Sequence, residues 1–153
     1  MNKKNYIKFA KKSASIQIKE LKKIKKIFNK SFIKAVDLIL NCKGKIIFAG
    51  IGKSGLIARK ISATFSSVGI PSFFCDPAQA LHGDMGQIEK KDILIIFSYS
   101  GNTSELTNMI KYANRYSIKI IGIASKPDSI LLKASDIKLC LLYTSPSPRD
   151  SIR

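Results

Sequence analysis

The sequence predicts an α/β protein: a three-layer αβα arrangement around a parallel, doubly wound, five-stranded sheet, preceded by a helical N-terminal extension. Three observations carry this. The runs IIFA (46–49) and ILIIF (93–97) are strand-sized and continuously apolar, the pattern of strands covered on both faces. Segments with helical periodicity separate these runs, which is how a parallel sheet is wound. Two of the strands also run directly into polar loops, one rich in glycine and one in serine, at the strand ends where such sheets bind ligands.

From about residue 5 to 41 the chain reads as helical, with a break near Asn29. Ile18, Leu21, Ile24, Phe28, Phe32, Val36 and Ile39 form one apolar stripe between lysine-rich faces, so the segment is expected to pack on its own domain or on a partner subunit. The first strand and the loop GIGKSG (50–55) lead to a helix over 54–68 that Gly69 is suited to stop. A second strand follows at 71–75, then a connection holding the chain's one histidine, His82, then the third strand at 93–97. After the loop SYSGNTSE (98–105) come a helix to about Tyr116, a strand at 119–124, a short helix near Ile130 and a fifth strand at 137–142. The chain thus divides into a helical segment, 1–41, an α/β domain, 42–142, and a tail, 143–153, where lysine disappears and Pro146 and Pro148 enter together. The tail is expected to be disordered.

At 153 residues the chain is long enough for one well-buried core. Its composition, 45% hydrophobic, is that of a soluble globular protein, and no apolar run is long enough to span a membrane. The basic start lacks a signal peptide's apolar centre, so a cytoplasmic location is expected. A net charge of +17 raises nucleic acid as a partner. Yet the excess is nearly all lysine, in a chain also rich in Ile and Asn, which reads as a solvated surface with an AT-rich coding bias; neither nucleic acid nor membrane is the expected partner. Cys42, Cys75 and Cys140 are isolated, without metal-ligand spacing, and read as reduced thiols. No metal is expected.

Chemistry concentrates at the two loops. Gly50, Gly52 and Gly55 let backbone approach an anion at the helix start, where Ser54 adds a hydroxyl and Lys53 a charge. The same glycines match the dinucleotide pattern GxGxxG, with Asp76 standing where a ribose-binding acid would, so an NAD-binding enzyme is one alternative. A Walker A loop is excluded because Ile47 occupies the place of its first glycine. In the second loop Ser98, Ser100, Thr103 and Ser104 gather hydroxyls around Gly101 at the start of a helix, enough to satisfy one phosphate monoester. Helix capping is the simpler role for the same residues.

The motifs GKSG (52–55), PSFF (71–74), HGDMG (82–86) and SYSGNTSE (98–105) together resemble the SIS (sugar isomerase) domain family, over residues 43–140, and within it the arabinose 5-phosphate isomerases. The resemblance implies an SIS fold. It also implies aldose–ketose isomerisation of a sugar phosphate through an enediol, without a redox cofactor, converting arabinose 5-phosphate to ribulose 5-phosphate for lipopolysaccharide synthesis. It makes Ser54, Ser98, Ser100 and Thr103 phosphate ligands, with backbone N–H groups around Gly101 and Asn102 assisting. Lys53 would stabilise the enediolate, Glu105 would act as base or proton shuttle, and His82 would assist ring opening or proton transfer. Glu105 has the alternative of opposing a helix dipole, and His82 of a loop histidine or weak metal ligand. A homo-oligomer, dimer or tetramer, is implied. The other alternative is a non-catalytic, regulatory sugar-phosphate-binding domain, which would need an output module.

The chain departs from the family pattern at Asp76-Pro77, where relatives often carry His-Pro, and past Cys140, where a further catalytic glutamate, more helices and regulatory modules are expected. The tail YTSPSPRDSIR therefore reads as non-native sequence, and this chain alone is expected to be a poor catalyst.

Overall fold

Ile46–Gly50 (β1) and Ile93–Phe97 (β3) form the centre of the sheet because almost every side chain along them is buried. Their alternate residues feed two separate cores. Ile47, Ala49, Leu94 and Ile96 face one layer, where they meet Leu106, Met109 and Leu131. Ile46, Phe48, Ile93 and Ile95 face the other, against Ala35, Ala58 and Phe65. Strands covered on both faces need apolar residues at every position, which is why these runs are continuous rather than alternating.

The computed structural model describes residues 3–80 and 83–141. Helix α1 spans Lys3–Ile24, a 3-10 turn follows at Lys25–Ile27, and α2 spans Lys30–Leu40. After β1 come α3 (Lys53–Ser67), β2 (Ser72–Cys75), a 3-10 turn at Asp84–Gln87, and β3. Helix α4 (Leu106–Arg115), β4 (Lys119–Ala124), α5 (Ile130–Ala134) and β5 (Ile137–Cys140) complete the order. The strands are all parallel, in the order β2-β1-β3-β4-β5. The predicted α/β class, five parallel strands and flanking helical layers are thus observed. The order reverses between β1 and β3, and their carboxyl ends open a crevice there.

Asn29 breaks the N-terminal segment where expected, its side chain accepting the N–H groups of Ser31 and Phe32 at 2.8 and 3.4 Å. Of the two helices, α2 packs on the domain through Ala35, Leu38 and Ile39. The predicted stripe is only partly covered along α1: Ile18 and Leu21 are more than half exposed, as is Phe28 beyond it, while Ile24 is half-buried beside a groove shared with Cys140 and Leu141. The segment 143–153, expected to be a disordered tail, lies outside the described residues.

The end of the sheet opposite the crevice is tied by two acids, one of them buried. Asp92, 1% exposed, accepts the N–H groups of Lys45 and Glu89 at 2.7 and 2.8 Å, joining the starts of β1 and β3. Asp136 accepts the Ile120 N–H at 2.9 Å and pairs with Lys119 at 2.6 Å. Above them, Phe65 of α3 packs edge-on against Phe48 of β1 at 5.0 Å, an aromatic contact worth about 0.5–1.5 kcal/mol beyond its burial. That contact fixes α3 over β1, so its first turn is delivered to the crevice.

Cys75, at the carboxyl end of the edge strand β2, is 2% exposed. Burial, then the nearby carboxylates of Asp84 and Asp76, pushes its thiol from an ordinary 9.0 up to about 11. The native state therefore keeps a proton that the unfolded chain has lost in this window, and stability falls as pH rises through it. Between pH 9 and 11 the wild type is expected to lose stability relative to Cys75→Ala by about 1.4 kcal/mol per pH unit, measured as converging denaturation midpoints. Parallel alkaline profiles of the two proteins would show that the thiol is not held in its neutral form.

Candidate active site

At the crevice one cleft of about 340 Å³ is lined by Ile51, Lys53 and Ser54 from the first loop and by Phe97, Ser98, Tyr99, Ser100 and Thr103 from the second. The fold thus brings together Lys53 with four of the predicted phosphate ligands. A larger, mainly apolar groove between the end of α1 and Cys140–Leu141 has neither the glycine loop nor the hydroxyl loop, and chemistry favours the smaller cleft.

The first loop is shaped by contact as much as by anion binding. A Cβ on Gly55 would lie 2.6 Å from the Gly50 carbonyl oxygen, so the start of α3 rests directly on the end of β1. Gly52, with φ +57° and ψ −124°, occupies backbone space that side chains disfavour and turns the chain into the helix. Gly50 and Gly55 therefore serve close packing, a role that the sequence alone did not separate from approach to a ligand. Lys53 follows at the first helical position. A cation there opposes the helix dipole, and no carboxylate pairs with it among the described residues, so its position costs stability without a structural return.

In the second loop the hydroxyls are oriented by the backbone. Ser98 Oγ accepts the Gly101 N–H at 3.0 Å and lies 3.1 Å from Thr103 Oγ1; Ser100 Oγ accepts the Asn102 N–H at 3.2 Å. A hydroxyl whose oxygen already accepts a bond has its proton left to donate. Ser98 and Ser100 are thus polarised to present O–H groups to an anion. As expected, the loop leads into a helix: it is an irregular turn, and α4 begins at Leu106, with Glu105 in the capping position.

Glu105 is exposed and is not among the residues lining the cleft. Its own backbone N–H and the Ser104 hydroxyl, at 2.9 Å, hold its carboxyl below the usual range, so it is ionised at neutral pH and a weaker base than a free carboxylate. Asn102 is exposed, and its side-chain oxygen is turned to the N–H of Ile130 at 2.9 Å. His82 lies outside the described residues. Asp76, which the dinucleotide alternative needs for a ribose, accepts the Ala78 N–H at 3.0 Å within its own turn.

Sequence reasoning gave no role to Ile51, Phe97 and Tyr99, which form the apolar wall of the cleft. Past Tyr99 and Ser54 it continues into a second depression lined by Ile57, Ile123, Ala124, Ser125 and Leu141. These residues come from α3, β4 and beyond β5, and only the sheet order brings them together.

A doubly wound α/β domain with a lysine and several hydroxyls at its switch point has the donors to satisfy the oxygens of an anion. The chain belongs to the SIS domain family, whose model matches residues 39–151. It is 44% identical, over 91% of its own length, to an uncharacterized protein of Rickettsia prowazekii, and 40% identical, over 79%, to an arabinose 5-phosphate isomerase of Escherichia coli K12. It spans 44% and 37% of the lengths of these two curated relatives. Among solved structures it is similar to an E. coli CFT073 protein in complex with arabinose 5-phosphate, with a TM-score of 0.85 and 30% identity, covering 99% of this chain and 85% of that one.

Proposed function

We propose that the chain carries the substrate-binding and isomerising site of an aldose–ketose sugar-phosphate isomerase, acting on arabinose 5-phosphate and ribulose 5-phosphate. The observation that carries this reading is the single cleft shared by Lys53, Ser54 and the hydroxyls of Ser98, Ser100 and Thr103. Relatives named arabinose 5-phosphate isomerase support the choice of substrate.

In this reading the phosphate is held by the three hydroxyls of the second loop, each charge-assisted bond contributing about 1.5–3 kcal/mol. The sugar then lies toward Lys53. A base removes the proton from C2, the electron pair forms the enediolate with its charge on the C1 oxygen, the proton of the C2 hydroxyl passes to that oxygen, and return of the first proton to C1 leaves the ketone at C2. The Lys53 ammonium stabilises that oxyanion, and Glu105 or His82 carries the proton. The proposal extends to a homo-oligomer in the cytoplasm serving lipopolysaccharide synthesis.

Calorimetric titration of the purified chain tests the binding half. Arabinose 5-phosphate is expected to bind, with arabinose and NAD failing to bind at the same concentrations. Equal affinity for the unphosphorylated sugar, or saturable binding of NAD, would overturn the reading.

A further inference from the structure

The hydroxyl loop is held from behind by the connection between β4 and α5. The Tyr99 carbonyl accepts the Ser125 N–H at 2.9 Å, the Gly101 carbonyl accepts the Leu131 N–H at 3.0 Å, and Asn102 Oδ1 accepts the Ile130 N–H at 2.9 Å. Ile130 and Leu131 open α5, so their N–H groups have no partner within that helix and must find one elsewhere. Ser129 Oγ accepts a third, from Leu132, at 3.4 Å. The loop and the start of α5 therefore satisfy one another.

Asn102 is the residue that joins this brace to the cleft. Its side chain reaches outward to Ile130, while its backbone N–H reaches inward to Ser100 Oγ. We infer that Asn102 is a positioning residue for the phosphate site: by anchoring on the first N–H of α5 it holds its own peptide where it orients the Ser100 hydroxyl toward the cleft. The inference rests on the sugar-phosphate reading above, and it assigns the Asn102 N–H to Ser100 rather than directly to the phosphate. Without the anchor, Ser100 is free to rotate and donate its proton to other acceptors. The phosphate then has to order the loop as it binds, at a cost in affinity.

Three proteins decide the matter: the wild type, Asn102→Ala, and Asn102→Asp, which keeps an acceptor for the Ile130 N–H. Amide hydrogen exchange is read at residues 101, 102, 130 and 131, and affinities for inorganic phosphate and arabinose 5-phosphate are measured by NMR titration. In Asn102→Ala, protection at these amides is expected to fall while that of β1 and β3 is kept. Phosphate affinity should fall about ten-fold, and KM should rise with kcat nearly unchanged. Asn102→Asp should restore the protection, although its charge keeps phosphate weakly bound. Weakened phosphate binding with protection intact in Asn102→Ala would make the side chain a direct ligand and overturn the inference, as would wild-type affinity in that variant. A wild type that binds neither anion would defeat the sugar-phosphate reading instead, and loss of protection in Asn102→Ala alone would then leave only a structural brace, which also overturns the positioning role.

Discussion

Lys53→Ala is expected to lower the turnover of arabinose 5-phosphate by about 10²- to 10³-fold while changing its affinity only a few-fold. The split follows from where the charge acts. In the proposed reading the phosphate is held by Ser98, Ser100 and Thr103 on the opposite loop, so ground-state binding would survive removal of the lysine. The oxyanion exists only along the reaction, and stabilisation realised only there appears in kcat. Stability should hold or rise slightly, because Lys53 stands at the positive end of α3 with no acidic partner among the described residues. A variant with wild-type kcat and a greatly raised KM would assign Lys53 to phosphate binding instead.

Gly101→Ala is expected to produce the largest combined loss of stability and binding from a single methyl group. Gly101 has φ +68°, unfavourable for any other residue. A Cβ there would also run into the hydroxyl of Ser129 and approach Ala124 Cβ to 3.1 Å. Ser129 is 1% exposed and caps α5, so it cannot withdraw without releasing that helix. Strain and overpacking together cost about 2–4 kcal/mol, seen as a fall in denaturation midpoint. Phosphate affinity should fall with it, because the Gly101 N–H that holds Ser98 moves. Gly69→Ala is the control. Its φ of +86° carries similar backbone strain, but nothing lies within 4 Å, and its place at the end of α3 is remote from the loop. It should cost about 1 kcal/mol and leave phosphate binding intact. Equal effects of the two substitutions would show that the contact with Ser129 does not matter.

Much of this molecule was legible because its signals are local. The continuous runs at 46–49 and 93–97 could only be strands covered on both faces, and the helices between them dictated a parallel sheet. Lys53 stood out as a charge inside a glycine turn, and the structure sharpens that into a cation at the wrong end of a helix. What stayed hidden depends on contacts far apart in sequence. Nothing around Asn102 announced that its side chain would serve Ile130, 28 residues later, because that pairing exists only once β4 lies beside β3. The packing role of Gly50 and Gly55 was masked for a different reason. A glycine needed for close contact and one needed for an anion look alike until the neighbouring backbone is seen. The stripe on α1 was legible as a pattern but not as a contact, since periodicity shows which face is apolar and not what covers it.

The central claim is that the cleft between the two loops performs enediol chemistry on a bound sugar phosphate. It is tested most directly by following arabinose 5-phosphate by ¹H NMR in D₂O, at protein concentrations high enough to register the slow turnover expected of this chain alone, with the wild type and with Lys53→Ala. The account predicts that the wild type replaces the C2 proton with deuterium as ribulose 5-phosphate appears, and that both changes slow by the same large factor in Lys53→Ala. Sugar phosphate that binds in the cleft yet keeps its C2 proton, or that exchanges equally fast with and without Lys53, would contradict it.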